Sequence, residues 1–272
     1  MSKLKIAVLR SDEPHHQYLD DVLSAQFEVV ASVIEPDTAQ SLKLLRKGRK
    51  RAYFWRRFHS MRRMLFGLSS YRQKYFNRIE IPSNTGYTTI RIQVDDINNE
   101  SVVELLKLSS PDITVVIGTS ILKPHILRAN NGDIINIHGG FLPYYRGNHC
   151  FFFALLDEAY DKVGSTIHFV DEGVDTGNII AHAIPLQCTS DTPESLYCRA
   201  SALAIHTLTK LLSQLEQGVP LPRIKQDNTG RTYKTADRKL QHEIRYWTKW
   251  TARRIMNQPR IRNLSKLKTE KK

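Results

Sequence analysis

Apolar and polar positions along this chain follow two periods in turn. Leu4 to Leu9 is a short apolar run that predicts a strand, Pro14 to Gln26 carries Leu19, Val22 and Leu23 at helical spacing, and Phe27 to Ile34 reads as a second strand. That order opens a doubly wound βαβ unit. After a polar linker at Ile81 to Tyr87 the alternation resumes, with Ile90 to Val94 extended, Ser101 to Leu108 helical and Ile113 to Ile117 a central strand. Ile134 to Ile137, bounded by Gly132 and Gly139, is a further buried strand. Cys150 to Leu156 reads as a helix, and Ser165 to Val170 and Ile179 to Pro185 as strands. Ser190 to Gly218 is a long helix with Pro193 near its first turn and Gly218 past its end. The expectation is an α/β protein with a doubly wound, mostly parallel sheet over residues 1–218, followed by a C-terminal extension over 219–272.

One segment breaks the alternation. Between Ser41 and Asn77, Phe54, Phe58, Met61, Leu65 and Leu68 recur at steps of four and three, with Arg56, Arg57, Arg62 and Arg63 around them. The pattern predicts a basic amphipathic helix inserted into the main domain. Its charge explains much of the balance of +13: Lys43 to Arg78 holds 13 lysines and arginines and no acid, and Thr251 to Lys272 holds eight against Glu270. The remainder is net acidic, so the basicity is regional. The inserted segment is a candidate for peripheral contact with an anionic membrane, with RNA, or simply for packing on its own protein with a solvated basic face. The expectation is that it governs location or partner choice and leaves chemistry elsewhere alone. No apolar run is long enough to cross a bilayer, and the start MSKLKIAVLR enters a strand directly, which predicts a cytoplasmic protein, with membrane-peripheral contact through the inserted segment as a candidate. Three cysteines, Cys150, Cys188 and Cys198, lack metal spacing and read as reduced thiols.

Chemistry concentrates at Asp133 to Asn148. Strand alternation puts Asn136 and His138 on one face, at the strand's C-terminal end before Gly139 and Gly140. In open α/β sheets that end faces the ligand crevice. An amide can stabilise a developing oxyanion and an imidazole can take a proton from an attacking nucleophile. Each residue also has a plain structural reading, in turn satisfaction or hydrogen bonding. His138, His149 and His168 could conceivably ligate a metal, but the spacing is unconvincing and no metal is expected.

Three motifs in order sharpen the picture: Asn136-Ile137-His138, then Leu142-Pro143-Tyr144-Tyr145-Arg146-Gly147, then Gly164 to Gly177 with Thr166, His168, Val170 and Asp175. Together they resemble the folate-dependent formyltransferases. That resemblance implies a Rossmann-like formyltransferase fold and transfer of a formyl group from 10-formyltetrahydrofolate to an amine. It assigns Asn136, with a protonated His138 as a second donor, to the oxyanion, His138 to the proton, and Asp175 to setting the imidazole's tautomer and supporting its charge. It implies folate contacts from Ser120, Ile121, Leu122, Leu142, Asp171, Gly173 and Val174. Gln226-Asp227 and Thr232-Tyr233 resemble the family's short hairpin.

Departures from the family bear on the acceptor. His138-Gly139-Gly140 stands where the family commonly has His-Pro-Ser, which predicts a loosened or reshaped loop. The first turn, Arg10 to Pro14, has no glycine to bring backbone amides to a phosphate, which counts against a glycinamide ribonucleotide acceptor. About fifty residues follow Pro222, fewer than the RNA-binding domain of methionyl-tRNA formyltransferases would need. A nucleotide-linked amino sugar is therefore the preferred acceptor. Methionyl-tRNA, hydrolysis of the formylfolate, and a silent binding module remain alternatives.

Overall fold

The computed structural model describes residues 3–79, 88–188, 191–227 and 229–255. The linker expected at Ile81 to Tyr87 and most of the basic tail lie outside them. In chain order the elements are β1 (Lys5–Arg10), α1 (Pro14–Gln26), β2 (Glu28–Ile34), α2 (Asp37–Arg46), α3 (Lys50–Leu65), α4 (Leu68–Phe76), β3 (Ile90–Gln93), α5 (Glu100–Ser109), β4 (Ile113–Ile117) and α6 (Pro124–Ala129). They continue as β5 (Asp133–His138), β6 (Tyr145–Gly147), α7 (Cys150–Leu156), β7 (Ser165–Phe169), β8 (Ile179–Ala183), α8 (Pro193–Glu216), β9 (Arg231–Tyr233) and α9 (Leu240–Ile255).

Seven strands form one sheet in the order β3-β2-β1-β4-β5-β7-β8, parallel except at β7, which runs antiparallel to both neighbours. This is the doubly wound sheet the pattern predicts. Strand alternation sorts the core into two layers. Ile6, Val8, Val115 and Ile135 pack with Leu19, Leu23, Leu208 and Leu212 of α1 and α8, while Ala7, Leu9, Val33 and Val116 face Val102, Leu106 and Ile126 of α5 and α6. Both faces of the central strands are thus covered, which is why these strands read as unbroken apolar runs. A buried Arg10 Nε–Asp20 Oδ2 pair at 2.9 Å, joined by Ser32 Oγ at 2.8 Å, ties β1, α1 and β2 together. Removing one partner of such a pair costs about 3–5 kcal/mol. No described helix is long and apolar enough to cross a membrane.

Two additions differ from their expected form. The insertion is three helices, α2 to α4, and α3 turns part of its expected apolar stripe outward while Arg56, Arg62 and Arg63 of its expected basic face are partly buried. Phe54, Met61 and Leu65 are 66%, 51% and 71% exposed, whereas His59 is 3% exposed. The inward face carries arginines because acids await them: Arg56 pairs with Asp37, Arg63 with Glu13, and Arg72 with Glu13 and Glu194. The C-terminal segment forms no hairpin among the described residues. Instead β9 pairs in parallel with β6, Tyr233 stacks on Phe153 at 4.0 Å, and Glu243 of α9 reaches Arg238, His59 and Arg62. Insertion and extension therefore meet over the C-terminal end of the sheet.

Candidate active site

The chain leaves β1 outward to β2 and β3 and returns as β4 on β1's other side, so the sheet's switch point lies between β1 and β4. Ligand crevices open there, beyond the strands' C-terminal ends. A cavity of about 350 Å³ occupies this place, lined by His15, His16, the 118–122 loop, Asn136, His138, His168, and the 170–175 loop. A second, of about 710 Å³, is lined by His138 together with Arg62, Arg63, Phe66, Leu68, Tyr71 and Arg72 of the insertion, the start of α7, Arg238, Tyr246 and Trp247. The two share His138, Gly139, Gly147, Asn148 and Tyr197.

Asn136, His138 and Asp175 converge at that junction. Antiparallel pairing of β5 with β7 sets His168 opposite Asn136, and Asn136 Nδ2 donates to His168 Nε2 at 3.0 Å. His168 Nδ1 lies 2.8 Å from the Phe169 carbonyl, so Nδ1 carries the proton and Nε2 accepts. His138 is buried, with Nε2 2.9 Å from the Tyr145 carbonyl and Nδ1 3.4 Å from Asp175 Oδ2. A ring nitrogen at that distance from a carbonyl must donate. Hence Tyr145, rather than Asp175 as the resemblance implies, fixes the tautomer, leaving Nδ1 as the ring's basic atom.

Asp175 sits in the left-handed region at φ 53°, a strained position for a residue with a side chain. Its Oδ2 accepts the Gly147 N–H at 2.8 Å, and its Oδ1 is 3.6 Å from His168 Nε2. Burial alone would raise its pKa, but positive charge on the His138 and His168 rings when they are protonated, together with the Gly147 N–H, outweighs burial and holds it well below the usual carboxylate range. Gln226 Nε2 donates to the carbonyls of Asp175 and Gly177, at 3.0 and 2.6 Å, and so fastens the loop. Gly140 is packed, not loosened: a Cβ there would stand 2.6 Å from His138 Nε2 and 2.5 Å from Cys150 Cβ. Gly139 has more room, its nearest neighbour being Tyr197 at 3.9 Å.

Of the residues assigned to folate, Ser120, Ile121, Leu122, Asp171, Gly173 and Val174 line the smaller cavity. Leu142 does not line either cavity; it is fully buried, its N–H donating to Thr166 Oγ1 and its carbonyl accepting from His182. Ser120 has little left to offer through its own donors, since its N–H and hydroxyl both bond Glu35, at 2.7 and 3.0 Å. Lys43 of α2 joins Glu35 and Asp96 at 2.6 Å each, and Gln40 Nε2 donates to the Gly118 carbonyl at 2.9 Å. The first helix of the insertion thus braces the 118–122 loop. Among the described residues no group of three or more His, Cys, Asp or Glu is arranged to hold a metal ion. His149 lies against His59 instead, with ring centroids 5.3 Å apart.

Sequence reading missed Tyr197, which separates the cavities, bonds His15 Nε2 at 3.0 Å and carries the Arg72 guanidinium 4.3 Å above its ring. It missed the arginine wall as well. A signal existed for the wall, the acid-free run of bases, but not for which way the run faced.

A family model described as formyl transferase matches residues 4–212. Methionyl-tRNA formyltransferase of Methylacidiphilum infernorum is 32% identical over 176 residues, 62% of this chain and 54% of that protein. The chain spans about half the length of the curated relatives it matches. Among solved structures, a sugar N-formyltransferase from Shewanella sp. aligns with a TM-score of 0.53 at 17% identity, covering 89% of this chain and 86% of that one. Glycinamide ribonucleotide transformylase 1 from Symbiobacterium toebii aligns at 0.52 and 20% identity, covering 82% and 93%. At such identities the likeness is one of fold.

Proposed function

The chain belongs to the formyl transferase family, and on that premise we propose that it transfers a formyl group from 10-formyltetrahydrofolate to an amine acceptor. The observation that carries this reading is the meeting of Asn136, His138 and Asp175 where two cavities join. The smaller cavity fits a flat folate head: Val116, Ile137 and Val170 give it apolar walls, and the 118–122 and 170–175 loops add backbone and polar groups. Bound there, the folate supplies the formyl carbon. The larger cavity then receives the amine.

The chain's own residues divide the work. Asn136 spends one amide N–H on His168 and keeps the other for an oxygen that gains negative charge; losing such a donor typically costs about 10²–10³ in rate. His138 takes the amine's proton at Nδ1, directly or through water, while Nε2 stays bound to the Tyr145 carbonyl, and returns it to the folate nitrogen as the bond between that nitrogen and the formyl carbon breaks. Asp175, kept ionised by its surroundings, then faces an imidazolium at 3.4 Å and stabilises it.

For the acceptor, we favour a nucleotide-linked amino sugar, because the larger cavity has the size of a small-molecule pocket, with the insertion and extension packed around it. Methionyl-tRNA is the second reading, favoured by the names of the 31–35% identical relatives. Mass spectrometry of reactions containing 10-formyltetrahydrofolate and a panel of nucleotide-linked amino sugars, methionyl-tRNA and glycinamide ribonucleotide tests both. A formamido sugar is the expected product. Formylation of methionyl-tRNA alone would transfer the reading to that acceptor, release of formate alone would make the protein a hydrolase, and an untouched formyl donor would overturn formyl transfer.

A further inference from the structure

The larger cavity has a wall that formyl transfer itself does not use. Arg62 and Arg63 of α3, Arg72 of α4 and Arg238 before α9 all line it, and Glu194 is the one carboxylate among its described lining residues. Two further acids, Glu13 and Glu243, are not among the lining residues and engage the arginines unevenly. Arg238 is committed, with Nε and Nη2 both 2.7 Å from Glu243 Oε1 and its guanidinium 3.7 Å over Phe152. Arg72 is committed to Glu194 and lies over Tyr197. Arg62 and Arg63 are not held this way. Arg62 comes no nearer to Glu243 than 4.0 Å, Arg63 makes a single contact to Glu13 at 3.2 Å, and the Nε of each is buried without a hydrogen-bond partner among the described residues. Both ring nitrogens of His59 are likewise without one, Nδ1 lying 3.7 Å from Glu243 Oε1.

Four guanidinium groups against three carboxylates leave the wall net positive, and buried donors without partners are costly unless something accepts from them. The histidines report the same field. Burial first, and then Arg238, Arg62 and Arg63, hold His59 down to about 3; burial, Arg238 and His59 hold His149 well below its ordinary value. The wall therefore brings guanidinium groups and net positive charge to the cavity that also contains His138.

We propose that Arg62 and Arg63, backed by Arg72 and Arg238, form a phosphate-binding wall that takes the phosphoryl group of a phosphorylated acceptor while its amine lies at His138. This rests on the larger cavity being the acceptor's. Planar guanidinium forks match phosphoryl and carboxylate oxygens bidentately, and the three oxygens of a phosphoryl group let it accept from two arginines at once. The first turn of the fold offers no rival site, since Glu13 stands there and is itself an anchor for Arg63 and Arg72.

Isothermal titration of the intact protein with sodium pyrophosphate, with citrate as the non-phosphoryl anion and 5-formyltetrahydrofolate as a probe of the donor cavity, tests the wall. Pyrophosphate should bind, and Arg62→Gln and Arg63→Gln should each weaken it at least about tenfold while folate binding is unchanged. Arg62→Lys, which keeps the charge without the fork, should fall between. Arg62→Gln removes no short ion pair, so its fold should persist, and an unchanged melting temperature checks this. No pyrophosphate binding, equal binding by citrate, or full affinity in both Gln variants would overturn the proposal. Pyrophosphate binding with no folate binding and no formyl transfer would leave the wall standing and overturn the reaction instead.

Discussion

At the base of the candidate site, β5 presents Asn136 and His138 on backbone bonded within the sheet, and the loop after β7 presents Asp175, whose carboxylate accepts from the Gly147 N–H. Above them, α3, α4 and α9 meet through charged side chains, Glu13 against Arg63 and Arg72, Glu243 against Arg62 and Arg238. The lower wall is fixed by a ladder that admits no substitution of partners. The upper wall is fixed by ion pairs between side chains. A reaction centre needs the first kind of support, since misplacement by about 1 Å is costly. A surface that selects among acceptors can use the second, and charge can be moved there without disturbing the ladder.

Substitution on the lower wall should produce the largest effects. His138→Ala, Asn136→Ala and Asp175→Ala are each expected to lower formyl transfer at least about a hundredfold with the fold intact, as followed by product formation and circular dichroism. Near-normal turnover in all three would end the mechanism. Next comes a pair that separates packing from chemistry. Gly140→Ala drives a Cβ into His138 and Cys150, and overpacking of this kind costs roughly 1–3 kcal/mol, so kcat should fall about tenfold and the melting temperature with it. Gly139→Ala should stay within a few-fold of the parent, and equal effects at both positions would contradict the packing described.

A third prediction sets a histidine of each wall side by side. His16 and His59 are both held down to about 3, by burial first, then by Arg72 and Arg10 for His16 and by Arg238, Arg62 and Arg63 for His59. The unfolded chain takes up protons at these rings below about pH 6.5, while the folded chain resists until near 3. Stability present above that upper value is therefore lost as pH falls through the window toward 3. Melting temperatures across pH 7 to 4 should fall steeply in the parent and less steeply in His59→Gln and His16→Gln; unchanged slopes in both would refute the assignment.

The smallest effect lies on the outside of the upper wall. Phe54, Met61 and Leu65 point outward beside exposed Lys50, Arg51 and Arg57. Each base near an anionic membrane adds roughly 1 kcal/mol to binding. We propose peripheral binding through this face, so flotation with phosphatidylserine vesicles should drop in a Phe54→Ser/Leu65→Ser variant whose formyl transfer in solution is unchanged. A tRNA gel shift without flotation would give the face to RNA.

The lower wall was legible in the sequence because its determinants are local. A period of two places Asn136 and His138 together, α1 and β4 fall on the residues expected, and the acidic loop after β7 follows its strand directly. Leu142 shows the limit even there, since a motif names a residue without saying whether it faces a cavity or the core. So does Tyr145, whose carbonyl fixes the His138 tautomer and leaves no mark in side-chain identity. The upper wall was legible only as helix and charge. The phase of α3 was readable, but its inward face was decided by Glu13, Asp37 and Glu243, outside the helix, and a helical wheel cannot weigh partners it does not contain.

Gln226 gives the protein a timetable. The seven-stranded sheet is complete once Ala183 has been made, and His138 and Asp175 are already in it or beside it. Yet the amide that fastens the Asp175 loop, and the strand that pairs with Tyr145 to Gly147, arrive only at 226 and 231–233. Chains grow from the N-terminus at about 5–20 residues per second, so the nascent protein should pass through a stage with a finished sheet and an unfastened site. Ribosome-bound chains arrested with 218 residues outside the exit tunnel should resist protease as a folded sheet while transferring no formyl group, and activity should appear by 255.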